Sequence, residues 1–216
     1  MRTHNKFFIF DTHYGHKNLV RGISTWGKDS QTRDFDTVEE MNDAIVDNIN
    51  RKVGEHDILY HGGDFAFGGI QGILEFRNRI NCKTIHFLPG NHDHHISNEK
   101  KTEVREIFKS IKLIQQVKLG DNFAILSHFP MMVWDKHHIG YWHLHGHCHG
   151  NLDQSAVGNR LMMDCGIDTH PNFEPYSVEE IEEYMKGREV KTIDHHIKST
   201  TKSSTGWLDK LYSIFR

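Results

Sequence analysis

Carboxylates, an amide and imidazoles able to hold metal ions recur in short clusters along the chain. "DTH" brings Asp11 and His13, "GGD" brings Asp64, "GNHD" brings Asn91, His92 and Asp93, and "SH" brings His128. "LHGHCHG" adds His145, His147 and His149. Together they form a mixed oxygen and nitrogen donor set suited to Mn²⁺, Fe or Zn²⁺, with no need for thiolate. The set is large enough for two ions that share one carboxylate. In "LHGHCHG" the histidines fall on every second residue. Were the stretch an extended strand, they would share one face and Cys148 would point to the other. With 19 histidines in the chain, position says more than number. A single His near a strand end is more often a surface or structural residue than a ligand.

These clusters need elements to position them. "KFFIFD" (6–11), "DILYHGGD" (57–64), "TIHFLPGNHD" (84–93) and "FAILSH" (123–128) are short apolar runs ending in polar loops, the pattern of buried strands. Further strands are predicted at 113–119, 142–146 and 160–165. The spacing of Val38, Met41, Ile45 and Ile49 predicts a helix over 37–53, opened by a capping box of Thr37 and Glu40. Helices are also expected at 69–80, 99–108 and 177–185, the last with Ser177 and Glu180 as its cap. Strand and helix alternate early and strands dominate later, which predicts an α/β fold with two packed sheets and helices outside. The ligand clusters sit where strands run out, and open α/β sheets gather their sites beyond the carboxyl ends of strands.

Composition narrows the function. At 216 residues the chain suits one domain with a substantial core. Lys and Arg total 26 against 29 Asp and Glu, a net charge of -3, which argues against an extended nucleic-acid surface. Cys82, Cys148 and Cys165 are few and odd in number, as in a reducing compartment without a disulfide framework. No signal peptide or membrane-length apolar run is found, so a cytoplasmic location is expected. A catalytic domain is predicted over 1–198. A Ser/Thr/Lys-rich linker follows at 199–206, then an apolar tail at 207–216. The tail either packs on its own domain, docks on a second subunit to make a homo-oligomer, or touches a membrane.

The ordered set "DTH", "GGD", "GNHD", "SH" and "GHCH" resembles the calcineurin-like metallophosphoesterases. "DTHYGHKN", "LYHGGDFAFG", "LSHFPMMVW" and "LHGHCHG" are similar to a small group of bacterial and phage members. The resemblance covers nearly the whole chain to about the final helix. It implies a four-layer αββα sandwich with a binuclear metal centre. Asp11, His13 and His149 would hold the first ion; Asn91, His128 and His147 would hold the second, and Asp64 would bridge them. Mn²⁺ leads, with Fe, Zn²⁺ and Ni²⁺ as alternatives. The implied reaction is phosphoester hydrolysis by a hydroxide that bridges the ions, with His92 protonating the leaving oxygen and Asp93 orienting the His92 ring. A small phosphodiester or nucleotide-derived substrate is favoured. A nuclease, a phosphomonoesterase and a non-catalytic scaffold are the alternatives.

Other residues admit two readings. His16 and Asn18 either contact substrate phosphate or cap the following helix. Trp134, with His137, His138 and Trp142, forms either a substrate wall or a packed loop anchor. Gly62, Gly63 and Gly90 are expected to form tight turns that let the ligands approach the ions. His145 is expected to support the site rather than ligate. Cys148 is expected to be buried and to face away from the metals.

Overall fold

The computed structural model describes residues 4–21 and 32–194 of the chain. The linker at 199–206, the tail at 207–216, and His195 and His196 lie outside the described residues.

The strands are β1 (Lys6–Ile9), β2 (Ile58–His61), β3 (Thr84–Phe87), β4 (Ser110–Ile111), β5 (Ile114–Leu119), β6 (Asn122–Ser127), β7 (Trp142–His145), β8 (Met162–Asp164) and β9 (Tyr176–Ser177). They form two mixed sheets. The first has the order β4-β3-β2-β1-β9 and is parallel except for β9. The second has the order β5-β6-β7-β8, with β5 antiparallel to β6 and the rest parallel. The helices are α1 (Val38–Lys52), α2 (Gly69–Arg79), α3 (His94–Ser97), α4 (Thr102–Arg105), α5 (Gln154–Val157) and α6 (Val178–Met185). The protein is an α/β sandwich of these two sheets with helices.

The layering follows from the two-residue period of the strands. In β1, Phe7 and Ile9 join a core cluster with Met41, Ile45 and Ile49 of α1 and Ile73 and Phe76 of α2. Phe8, and Phe10 just past the strand, face the other way and join Leu126, Leu144 and Met163 of the second sheet. Ile181 and Met185 of α6 complete that second cluster. The first sheet is therefore apolar on both faces, as parallel strands covered on both sides must be.

Both capping boxes form as the sequence predicts. Thr37 accepts from the Glu40 amide and Ser177 from the Glu180 amide, and each Glu side chain reaches back to its cap residue. The helix expected at 99–108 is reduced to the single turn of α4, preceded by the separate turn α3. Asn98 is responsible. Its side chain accepts from the Lys100 amide at 3.0 Å, a local turn that competes with helix continuation. The two sheets are stitched together where β1 and β8 run out. The Phe10 amide donates to the Cys165 carbonyl at 3.1 Å, and the Ile167 amide donates to the Phe10 carbonyl at 2.9 Å. Asp11 follows directly, so the chain's first ligand candidate sits on this seam.

Candidate metal centre

The loops after β1, β2, β3, β6 and β7 meet at the same end of both sheets and bring the predicted ligands together. The oxygen and nitrogen atoms of Asp11, His13 and His149 lie within 4.8 Å of one another, as do those of Asp11, Asp64 and His128. Asp11 belongs to both groups, and Asp64 of the second reaches toward the first: its Oδ2 is 3.4 Å from His13 Nε2 and 3.6 Å from His128 Nε2. Asn91 Oδ1 lies 3.0 Å from both His128 Nε2 and His147 Nδ1. All seven predicted metal ligands thus converge.

The backbone is bent to achieve this. Asp11, His13, Asp64, His147 and His149 all have positive φ, between 47° and 70°. Left-handed conformation is costly for such residues and concentrates at functional sites. It also answers whether "LHGHCHG" is a single extended strand: it is not. β7 stops at His145, and His147 and His149 reach the site from left-handed loop positions. His145 is buried at the strand end and belongs to neither ligand group. Glycines make the room. A Cβ on Gly90 would come within 2.3 Å of Asp64 Oδ1, one on Gly146 within 2.3 Å of Asp11 Oδ2, and one on Gly62 would enter the Phe10 ring.

Hydrogen bonds then aim the donor atoms. His128 Nδ1 donates to the Gly62 carbonyl at 2.9 Å, which leaves Nε2 as the lone-pair nitrogen facing Asp64 and Asn91. His149 Nδ1 donates to Asp168 Oδ2 at 2.7 Å, with the same effect on its Nε2. Asp64 divides its oxygens: Oδ1 accepts from the His92 amide at 2.9 Å, and Oδ2 faces the histidines. Asp11 Oδ2 accepts from the His147 amide at 2.8 Å, whereas Asp11 Oδ1 and both ring nitrogens of His13 are buried without a protein hydrogen bond. Such groups are rare unless a ligand or ion completes them. Burial, with Asp164 and Asp64 nearby, pushes the Asp11 carboxyl well above the usual range despite the pull of His149. Burial, Arg33 and His149 hold His13 well below the ordinary imidazole range. A cation would offset the shift of Asp11 and favour the neutral form of His13, and carboxylates with neutral imidazoles are the donors it requires. The residues fit divalent metal ions.

Several supporting residues carry no signal in the sequence. Arg33, almost wholly buried, grips Asp168 with Nε and Nη2 at 2.7 and 2.9 Å. Its Nη1 donates to the Thr12 carbonyl and its Nη2 to the Asp11 carbonyl, so one guanidinium braces both ligand loops. Burial alone would raise Asp168, but the Arg33 charge and the His149 contact bring it well below the usual carboxylate range. Asp164 accepts from the Gly150 and Gly166 amides. Buried His61, held to about 3 by burial, bonds Thr12 Oγ1 at 2.9 Å.

The structure corrects two other expectations, for Asp93 and Cys148, and decides between the two readings of Trp134. Asp93 does not orient the His92 ring. Its carboxylate accepts from the Asp64, Gly90 and Phe65 amides, locking the loops that carry Asp64 and Asn91. Trp134 does not face the centre: it is buried, and its Nε1 donates to the Tyr141 carbonyl at 2.8 Å, so it anchors a loop. Cys148 is half-buried and lines the cavity beside His13 and His149 instead of turning away. His92 is exposed at the rim, 5.5 Å from the His13 ring and 5.3 Å from the Phe67 ring. His16 makes no cap; its ring stacks on Phe67 at 3.9 Å and lines the same cavity, whereas Asn18 does not. Elsewhere, His170, Glu174 and Glu180 also approach as a metal site would, but the Lys52 ammonium already fills that cluster, 2.9 Å from Glu174 and 2.8 Å from Glu180.

No family model matches the chain. It is 29% identical over 193 residues to an uncharacterized protein of Methanocaldococcus jannaschii, across 87% of this chain and 96% of that one. The crystal structure of a protein of unknown function from Aquifex aeolicus superposes with a TM-score of 0.60 at 19% identity, covering 84% of this chain and all of the other. That likeness speaks to the fold alone.

Proposed function

We propose that the protein is a divalent-metal-dependent phosphoester hydrolase of the calcineurin-like type, built on that family's four-layer sandwich. One observation carries the reading: seven oxygen and nitrogen donors from five separate loops converge, with Asp11 common to two ligand groups, Asp64 near both His13 and His128, and buried donor atoms left without protein partners. Bound ions would supply Lewis acidity, lowering the pKa of water and offsetting phosphoryl charge. The chain does the rest. Asp11 and Asp64 would help hold the ions, and the Arg33–Asp168 pair fixes the His149 ring. Phe67 shields His13 on the cavity side. His92 stands at the rim with its backbone tied to Asp64, where a ring nitrogen can give a proton to the departing oxygen. A cavity of about 1050 Å³ opens beside His13, His149 and His92, a size that favours a small ester over a polymer.

Stripping metal with a chelator and restoring Mn²⁺ tests the proposal, with p-nitrophenyl phosphate and bis(p-nitrophenyl) phosphate as substrates. Turnover of at least one is expected to vanish and return with metal. A protein that binds Mn²⁺, Fe²⁺ or Zn²⁺ yet cleaves neither ester refutes it.

A further inference from the structure

The cavity beside the first ligand group is larger than a phosphoryl group requires, and its lining includes the aromatic rings of Phe35, Phe67 and Phe173. Phe67, in the lining, stacks with His16 at 14° and leans toward His92. Phe35 and Phe173, also in the lining, pack with ring centroids 5.5 Å apart. Phe173 has a φ of 53°, a conformation that a bulky side chain adopts only under constraint. The constraint is visible. The Asn48 amide holds the Phe173 carbonyl at 2.6 Å, and the Arg33 guanidinium lies 5.1 Å from the ring centroid. Arg33 is also the residue that fixes Asp168, and through it His149. One rigid strut therefore sets both the aromatic wall and a metal ligand. Asn151 and Asp34 add polar groups to the lining, which suit a heterocycle with hydrogen-bonding edges better than a hydrocarbon.

We infer that this pocket is a nucleobase site, seating the planar heterocycle of a nucleotide-type ester between the Phe67 and Phe35–Phe173 walls while its phosphate meets the His13–His149 edge. The inference rests on the phosphoesterase reading for the phosphate but on the aromatic walls for the base. Stacking of a base on aromatic side chains strengthens binding by about 5- to 150-fold.

The test is calorimetric titration of the Mn²⁺-loaded full chain with non-hydrolysable methylene phosphonate analogues of adenosine 5′-monophosphate and of ribose 5-phosphate. The base-bearing analogue should bind at least about fivefold tighter. Phe173→Asn removes the ring but keeps a residue that tolerates the left-handed backbone, and should bring the affinity ratio toward one. Phe35→Leu, at a position of ordinary φ, should lower the ratio as well. Equal binding of the two analogues, binding of neither, or a ratio that survives both substitutions overturns the inference. Metal-dependent turnover without base preference overturns the pocket alone. Base preference in a protein that cleaves no phosphoester supports the pocket and overturns the catalytic reading.

Discussion

Replacing Asp168 by Asn removes one charge and almost no volume, and it strikes the joint between Arg33 and His149. The carboxylate accepts three short bonds: two from Arg33 at 2.7 and 2.9 Å and one from His149 Nδ1 at 2.7 Å. An amide has a single acceptor oxygen, so at least one partner is lost or turned against an N–H group. Loss of a residue that orients a metal-binding histidine typically weakens metal affinity by about 10- to 100-fold, or roughly 1.4–2.7 kcal/mol. Uncoupling buried Arg33 costs stability too, about 3–5 kcal/mol if nothing else held it. The Asp11 and Thr12 carbonyls still accept from that guanidinium, so the low end is expected. A competing effect fixes the conditions. Burial lowers the His149 pKa, but Asp168 and Asp11 outweigh it and the net shift is upward, so a proton competes with metal in the native protein. Asp168→Asn relaxes that competition, which masks the loss at low pH. Calorimetric Mn²⁺ titration repeated at rising pH, until the affinity of the native protein no longer changes, avoids the masking. The expected result is one class of sites weakened by about 10- to 100-fold and the other nearly unchanged. Equal weakening of both classes, or of neither, refutes the assignment of Asp168 as the brace of His149.

Two further substitutions probe other parts of the centre. His92→Ala should leave Mn²⁺ content unchanged and slow turnover by about 10²–10⁴-fold, least for esters with good leaving groups; equal losses across a leaving-group series would rule out proton donation. Gly146→Ala places a methyl 2.3 Å from Asp11 Oδ2 and 2.7 Å from Phe10 Cβ, so it should cost about 1–3 kcal/mol and weaken metal binding. A melting temperature within about 1 °C of the native value would show that Asp11 is free to move.

Much of the fold was legible because its signals are local. Thr37 with Glu40 and Ser177 with Glu180 announce their helices within four residues, and the apolar runs before Asp11, Asp64 and Asn91 mark strand ends. The ligand types were legible for the same reason: each cluster is contiguous. Arg33 and Asp168 were not, since an arginine and a carboxylate 135 positions apart carry no sign of their pairing. Asp93 misled through adjacency. Next to His92 in the chain, its carboxylate is turned by the loop toward the Asp64, Phe65 and Gly90 amides. The strand expected at 142–146 was legible, but alternation counts side-chain faces and cannot register a backbone that turns left-handed at His147 and His149. Trp134 shows the opposite case, where the bland reading of a packed anchor was the right one.

The stitch between β1 and β8 gives the centre a mechanical character. Asp11, His13, Asp64 and Asn91 hang from the first sheet, and His128, His147 and His149 hang from the second. Either ligand group spans the joint, so an ion held there acts as a rivet through two plates. Sliding of one sheet over the other by a fraction of an ångström would pull the donors apart without disturbing any residue near them. The apolar layer between the plates, with Phe8, Phe10, Leu126 and Leu144, is then the bearing surface that keeps the rivet holes aligned. Packing defects far from the chemistry should be felt as a loss of metal before they are felt as a loss of fold.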